Sequence, residues 1–275
     1  MSFSINTNIS AMRANLHSNA GSNTLNNSLN RLSSATNSSA AYDASGLGIA
    51  NELSAQVSGL GQAIMNSNDS IGMIQTADGA LNGYNDNMER VRVLTLQASN
   101  GIMSSDDKAI IQQEIDGLLE SSQQIVDSTS FNGIKLLDGT GGSSGDGTFI
   151  TQAGANAGDT SSFSIADSSV SSLVGSIDVT TDSGAAAALN SIDSAMSSID
   201  DTRATLGASQ NQLLANVSNI SITQVNIAAA ESQIRDVDFA QESANFSKAN
   251  IMSQVGSFAQ AQSNNISSNV VNLLQ

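Results

Sequence analysis

The sequence predicts a mainly α protein of long, antiparallel coiled-coil-like helices carrying one small β-hairpin and loop insert. Three observations lead there. Ile192, Ile199, Leu206, Leu213, Ile220 and Ile227 recur every seven residues, each preceded three positions earlier by Leu189, Met196, Arg203, Gln210, Val217 or Gln224. Steps of three and four put both columns on one narrow helix stripe, the geometry of a coiled-coil seam. A long core helix in any helical domain shares that geometry. A second heptad run, Leu53, Val57, Leu60, Ile64, Ile71, Ile74, Leu81 and Met88, precedes it, and the chain contains no proline to interrupt either.

Taken in order, the first segment sets Ile5, Ile9, Met12 and Leu16 at helical spacing, loses the beat through Asn19, Asn23 and Asn26, and resumes at Leu25, Leu29 and Leu32. So weak an amphipathic helix is marginal alone and needs a partner. His17, the one histidine, sits off the stripe and reads as solvated. The small-residue run Thr36 to Gly48 breaks the periodicity. The helix that follows runs to about Ser99; about 50 residues at 1.5 Å each make a rod on the order of 75 Å long. Asn100 and Gly101 end it, and Ser104 with Asp107 forms a capping-box pattern for a third helix through Ile111, Ile115, Leu118 and Ile125.

Asn132-Gly133 before IKLLDG predicts a tight turn and a short strand. Residues 139–184 then shift to Gly, Ser, Thr, Asp and Ala, with strand-like TFITQ, SFSI and SIDVT and no Lys or Arg between Lys135 and Arg203. We expect an exposed acidic insert without a core of its own. The seam helix follows. Phe239, Phe246, Ile251, Val255, Phe258, Ile266, Val270 and Leu273 mark a last, Asn/Ser-rich amphipathic helix, again marginal alone.

Composition narrows the function. Charged residues are 12% of the 275 and aromatics 3%, against about 25% charged in an average globular chain. Few aromatic anchors point to extended helix packing as the source of cohesion. A net charge of −16 disfavours nucleic acid and anionic membranes. No stretch reaches the roughly 18 apolar residues of a membrane span, and Met1 to Leu16 has neither the charge nor the apolar run of a secretory signal peptide. Without cysteine there is no thiolate nucleophile and no thiolate metal site. Asp236, Asp238 and Glu242 could hold a metal, but no base or nucleophile accompanies them, and GTGGSSGDG lacks the ending of a phosphate loop. No catalytic residue, cofactor or metal site is expected.

Several motifs in order resemble bacterial flagellin: INTNISAM from Ile5, SLNRLSS from Ser28, ASGLGIANEL from Ala44, QTADGALNGYNDNMERVRVLTLQASNG from Gln75, RATLGASQNQL from Arg203 and IRDVDFAQE from Ile234. The resemblance covers roughly residues 1–138 and 185–275. It implies a filament subunit whose terminal helices, 1–43 and 233–275, pair into an inner tube. Residues 44–138 and 185–232 would form the surrounding helical core, and 139–184 the reduced outer insert. It further implies that the chain polymerises with itself outside the cell and is exported through the flagellar channel with a chaperone and no cleaved signal peptide. Junction and cap proteins would be partners, and so would a host Toll-like receptor that senses flagellin. Arg90, Leu94 and Glu114 would serve receptor and inter-subunit contacts. On this reading Ile5, Ile9, Met12, Leu16, Phe246, Ile251, Val255, Phe258, Ile266, Val270 and Leu273 are the assembly residues, while the column Leu189, Ile192, Met196, Ile199, Leu206, Leu213, Val217, Ile220 and Ile227 packs inside the subunit. The chain departs from the family at Ala35, Tyr42 and Asp43, and in NNISSNVVNLL near its end. A hook-filament junction protein, or another secreted coiled-coil binding protein, is the alternative, and Ser/Thr glycosylation of 139–184 a further expectation.

Overall fold

The computed structural model describes residues 8–37 and 43–273. Along the chain run α1 (Ile9–Ser34), α2 (Ala44–Ala98), α3 (Ser105–Ser128), β1 (Ser130–Phe131), β2 (Ile134–Lys135), β3 (Thr148–Gln152), β4 (Thr160–Ser164), α4 (Val170–Leu173), α5 (Asp182–Arg235) and α6 (Phe239–Leu273). Two compact units result: a terminal unit of Met1–Ala55 with Ile227–Gln275, and a central unit of Gln56–Asn226. The first helix ends at Ser34, before the small-residue run from Thr36, but that run is shorter as a connection than expected. α1 passes unbroken through its asparagines, and α2 begins within the ASGLG run, where the Asp43 carboxylate accepts the Gly46 N–H at 2.7 Å and caps the new helix.

In the central unit, α2 buries Leu60, Ala63, Ser67, Ser70, Ile74, Ala77, Leu81, Tyr84, Met88, Val91, Thr95 and Ala98, an uninterrupted alternation of three and four. The buried seryl and threonyl hydroxyls in this stripe satisfy themselves locally, Ser67 on Ala63 O at 2.8 Å and Thr95 on Val91 O at 2.8 Å. α5 answers with Ile192, Ile199, Leu206 and Leu213, all buried, and with Ala185, Ala188 and Ala195, which the heptad reading passed over. Each such Ile or Leu contributes about 1.5–3 kcal/mol by leaving water. Of the expected seam, Leu189, Met196, Val217, Ile220 and Ile227 are half-buried. Two of its three polar members find partners on α2: Arg203 donates to Asp78 at 2.8 Å, which holds its guanidinium above the usual range, and Gln224 donates to the Val57 carbonyl at 3.1 Å. Arg92 on α2 pairs with Asp193 on α5 at 2.6 Å.

α3 opens with the expected capping box between Ser104 and Asp107 and buries Ile111, Ile115 and Val126. Asn132 and Gly133, with φ of 50° and 80°, turn β1 back onto β2. β3 pairs antiparallel with β4, and Phe149 stacks on Phe163 across them with ring centroids 5.4 Å apart. The 139–184 stretch, expected to lie exposed, sends Phe149, Phe163, Ile165, Val174, Ile177 and Val179 into the central core. SIDVT is not a strand: Gln112 of α3 accepts the Val179 N–H at 2.8 Å and donates to the Ile177 carbonyl at 3.0 Å, taking the place of a neighbouring strand.

Candidate functional site

The terminal unit pairs α1 with α6. The seam on α1 is Ala11, Ala14, Ser18, Gly21, Leu25, Ser28 and Leu32; on α6 it is Glu242, Phe246, Ala249, Ser253, Gly256, Gln260, Ser263, Ser267 and Val270. Both series alternate steps of three and four, as a coiled coil requires. Most members are small, so α1 and α6 keep their backbones within 8 Å of each other along the seam. A Cβ added at Gly256 would lie 3.3 Å from the Ser18 Cα and Cβ, and one at Gly21 would lie 3.6 Å from the Ser253 nitrogen.

Polar clusters close this seam at its ends. At one, Asn8 caps α1 by accepting the Ala11 N–H at 2.9 Å, donates to the Ser263 carbonyl at 3.2 Å and to Ser267 Oγ at 2.7 Å, and accepts from Ser263 Oγ at 3.0 Å. At the other, Glu242 is 5% exposed. Hydrogen bonding from Ser28 is the chief cause that holds its carboxyl below the usual range, against the opposing pull of burial, with Asn245 and the Arg31 guanidinium, 3.8 Å away, adding to the effect. Beside this cluster a groove of about 470 Å³ is lined by His17, Gly21, Arg31, Glu242, Lys248 and Met252.

A backbone clasp joins the inner ends of the two helices. Asn37 donates to the Arg235 carbonyl at 2.6 Å, and Val237 to the Ala35 carbonyl at 3.2 Å, about a bridge between Thr36 and Asp236. The carboxylates weighed as metal ligands serve helix ends. Asp238 accepts the Ala240 and Gln241 N–H groups at 2.9 and 3.1 Å, and Asp236 accepts from Ser232 Oγ at 2.5 Å.

Because small residues form the seam, the large apolar side chains face away from it. Ile9, Met12 and Leu16 on α1 are exposed, and so are Ile251, Met252, Val255, Phe258 and Ile266 on α6, Phe258 to 73%. Phe246 and Val270 are half-buried in the seam. Ile5 and the side chain of Leu273 lie outside the described residues. Large apolar side chains left uncovered in this number along both helices suit surfaces that bind other chains. Removing these eight exposed side chains from water is worth on the order of 10 kcal/mol, enough to set against the roughly 4–15 kcal/mol that association costs.

In the central unit Arg90 and Glu114 pair on the surface at 2.7 Å. Leu94, expected beside them as a contact for a receptor or another subunit, is 2% exposed. It belongs to the core because it lies beside the inner stripe of Val91, Thr95 and Ala98; Val93 and Leu96 are the exposed apolar neighbours.

Residues 5–141 match the family model described as the bacterial flagellin N-terminal helical region, and residues 189–274 match the C-terminal helical region. A flagellin of Halalkalibacterium halodurans is 35% identical over 275 residues, spanning 98% of this chain and 99% of that one. A flagellin of Bacillus subtilis is 38% identical over 296 residues, spanning 90% and 97%. Among solved structures, the Bacillus cereus flagellin crystal structure superposes with a TM-score of 0.51 at 28% identity, over 61% of this chain and 94% of that one. A putative flagellar hook-associated protein from Vibrio parahaemolyticus shares the fold, with a TM-score of 0.59 at 14% identity, over 71% of this chain and all of the other.

Proposed function

The chain belongs to the bacterial flagellin family, and on that premise we propose that its paired terminal helices carry the contacts between copies. It is a structural protein and not an enzyme: a self-assembling subunit of the extracellular flagellar filament that serves swimming motility. The observation that supports the assigned role of α1 and α6 is the outward apolar face from Ile9 to Leu16 and from Ile251 to Ile266, left uncovered by a seam of small residues. Helical polymers need heterologous, non-closing contacts, and an elongated apolar strip can supply them.

On this reading residues 1–43 and 233–275 form the inner tube, 44–138 and 185–232 the helical core around it, and 139–184 the outward insert. Leu189, Ile192, Met196, Ile199, Leu206, Leu213, Val217, Ile220 and Ile227 pack within one subunit. The chain leaves the cell through the flagellar export apparatus with a chaperone, and meets junction and cap proteins at the filament ends. A host Toll-like receptor reads the Arg90 and Glu114 surface, with Leu94 withdrawn from it.

Removing residues 1–34 or 240–275 is expected to abolish polymerisation while leaving a helical core in solution. Electron micrographs showing filaments grown from either truncation overturn the assignment. The same micrographs of the full chain separate filament from junction protein, because long polymers without a second subunit are expected only of the filament. The hook-associated likeness extends to fold alone, whereas the flagellins match at 35–38% identity over nearly the whole chain.

A further inference from the structure

We propose that Glu242 and Asn8 are positioning residues that set the register of α1 against α6, which the small-residue seam by itself leaves undetermined.

The seam repeats with near-uniform chemistry. Ser18 faces Gly256; one heptad along α6 in either direction stands Ala249 or Ser263. A slide of α6 by seven residues therefore sets small side chains against small side chains through the middle of the seam, and among its apolar members only Leu25, Leu32, Phe246 and Val270 stand out in size. The Ile and Leu seam of α5 specifies register through bulky knobs in shaped holes, and the Gly, Ala and Ser middle of the α1–α6 seam lacks such knobs.

What changes on sliding is the polar ends. Glu242 and Ser263 occupy the same heptad column, three repeats apart. In the observed register Glu242 meets Ser28 and Arg31 of α1, and Ser263 meets Asn8. Sliding one heptad towards the α1 N-terminus carries the buried carboxylate about 10.5 Å away from Ser28 and Arg31, to the level of Gly21 and Leu25, which have no side-chain donor. It also separates Asn8 from both serines. Removing one partner of a buried charge is costly, as is leaving buried polar groups unpaired, and a single buried polar position is known to select register in coiled coils. Two such positions at opposite ends of one hairpin act as stops against sliding in either direction. A one-heptad slide is about 10.5 Å at 1.5 Å per residue, so it would displace Val255 and Phe258 by that distance along the helix pair relative to Met12 and Leu16.

The absence of cysteine makes register directly readable. In the full-length chain, S18C/G256C reports the observed register, since a Cβ at 256 lies 3.3 Å from the Ser18 Cβ, close to the roughly 3.5–4.5 Å of a disulfide. S18C/A249C and L25C/G256C report the two slipped registers, and neither touches the Asn8 contacts. Intramolecular closure is scored by mass under non-reducing conditions, which excludes bridges between copies. With Glu242 and Asn8 intact, only S18C/G256C should close. In an E242A/N8A background, closure of the slipped pairs should rise about tenfold or more, the ratio expected when a buried polar contact no longer discriminates. E242Q, which retains hydrogen-bonding capacity, should restore the observed register, and S28A, which removes the chief donor without opening a large void, should allow an intermediate degree of slippage. Slipped pairs that stay open in both E242A/N8A and S28A overturn the inference. This readout does not require polymerisation, so a hairpin that keeps its register and still fails to assemble counts against the function proposed for α1 and α6, not against the register.

Discussion

Tyr84 shows how a single side chain in the α2 stripe can be both well packed and unsatisfied. Its ring is fully buried, and its hydroxyl has no hydrogen-bond partner among the described residues. Burial first, and then the Asp167 carboxylate, push its ionisation up from 10.0 to about 12. The folded phenol thus keeps its proton where the unfolded one loses it, so the stability it confers is complete below about pH 10 and falls as pH rises towards 12. Tyr84→Phe should remove that alkaline loss and raise stability at neutral pH by about 1 kcal/mol, because an orphaned polar group is withdrawn from the core. Chemical denaturation of both proteins at pH 7 and in alkali checks both effects. Leu206→Ala, at a fully buried position of α5, should cost about 2–5 kcal/mol in the same assay. Leu206 was legible from its heptad column. Leu94 enters through a family motif instead, and a motif does not say which side of a helix a residue occupies; its place three residues after Val91 and four before Ala98 turns it inward.

Among elements, α1 and α6 are where periodicity misleads most usefully. Reading large apolar residues at helical spacing finds a stripe on each helix, Met12 and Leu16 on one and Val255 and Phe258 on the other, and the stripes are there. They are on the outside, and the helices meet through Ala, Ser and Gly, which contribute too little hydrophobicity for a pattern of apolar residues to register. Gly256→Val should force the pair apart at its closest approach, at a cost of about 1–3 kcal/mol, read as lost helicity in the terminal segments. Glu242 adds a pH dependence. Its folded carboxyl titrates below its ordinary range, so its contribution is present at neutral pH and disappears as pH falls through the acid range. Closure of the S18C/G256C bridge should therefore weaken on acidification, and Glu242→Gln should flatten that profile. SIDVT has the alternation of a strand without being one, for a related reason. Alternating apolar residues reveal burial, and a side-chain amide such as Gln112 can satisfy a backbone that a strand would otherwise pair.

At the level of the whole molecule, the helix order, the capping box and two of the three strand patches in the insert could be read from the residues. The insert's place in the core could not, because Phe149, Phe163 and Val179 are sparse within a polar run and their partners lie on helices far away in sequence. Phe258→Asp puts a charge on the outward face without touching the seam, and is expected to prevent filament growth while leaving the helicity of the free subunit unchanged; sedimentation and circular dichroism separate the two. The contacts that join the terminal helices link residues as far apart as Asn8 and Ser267, 259 positions along the chain. Contacts of that separation form late and slowly, since nearly the whole chain must be at hand before they can begin. A chain delivered end first through a narrow passage would therefore carry its stickiest surface unassembled until the last helix emerged, and topology would time the appearance of that surface without any separate inhibitor.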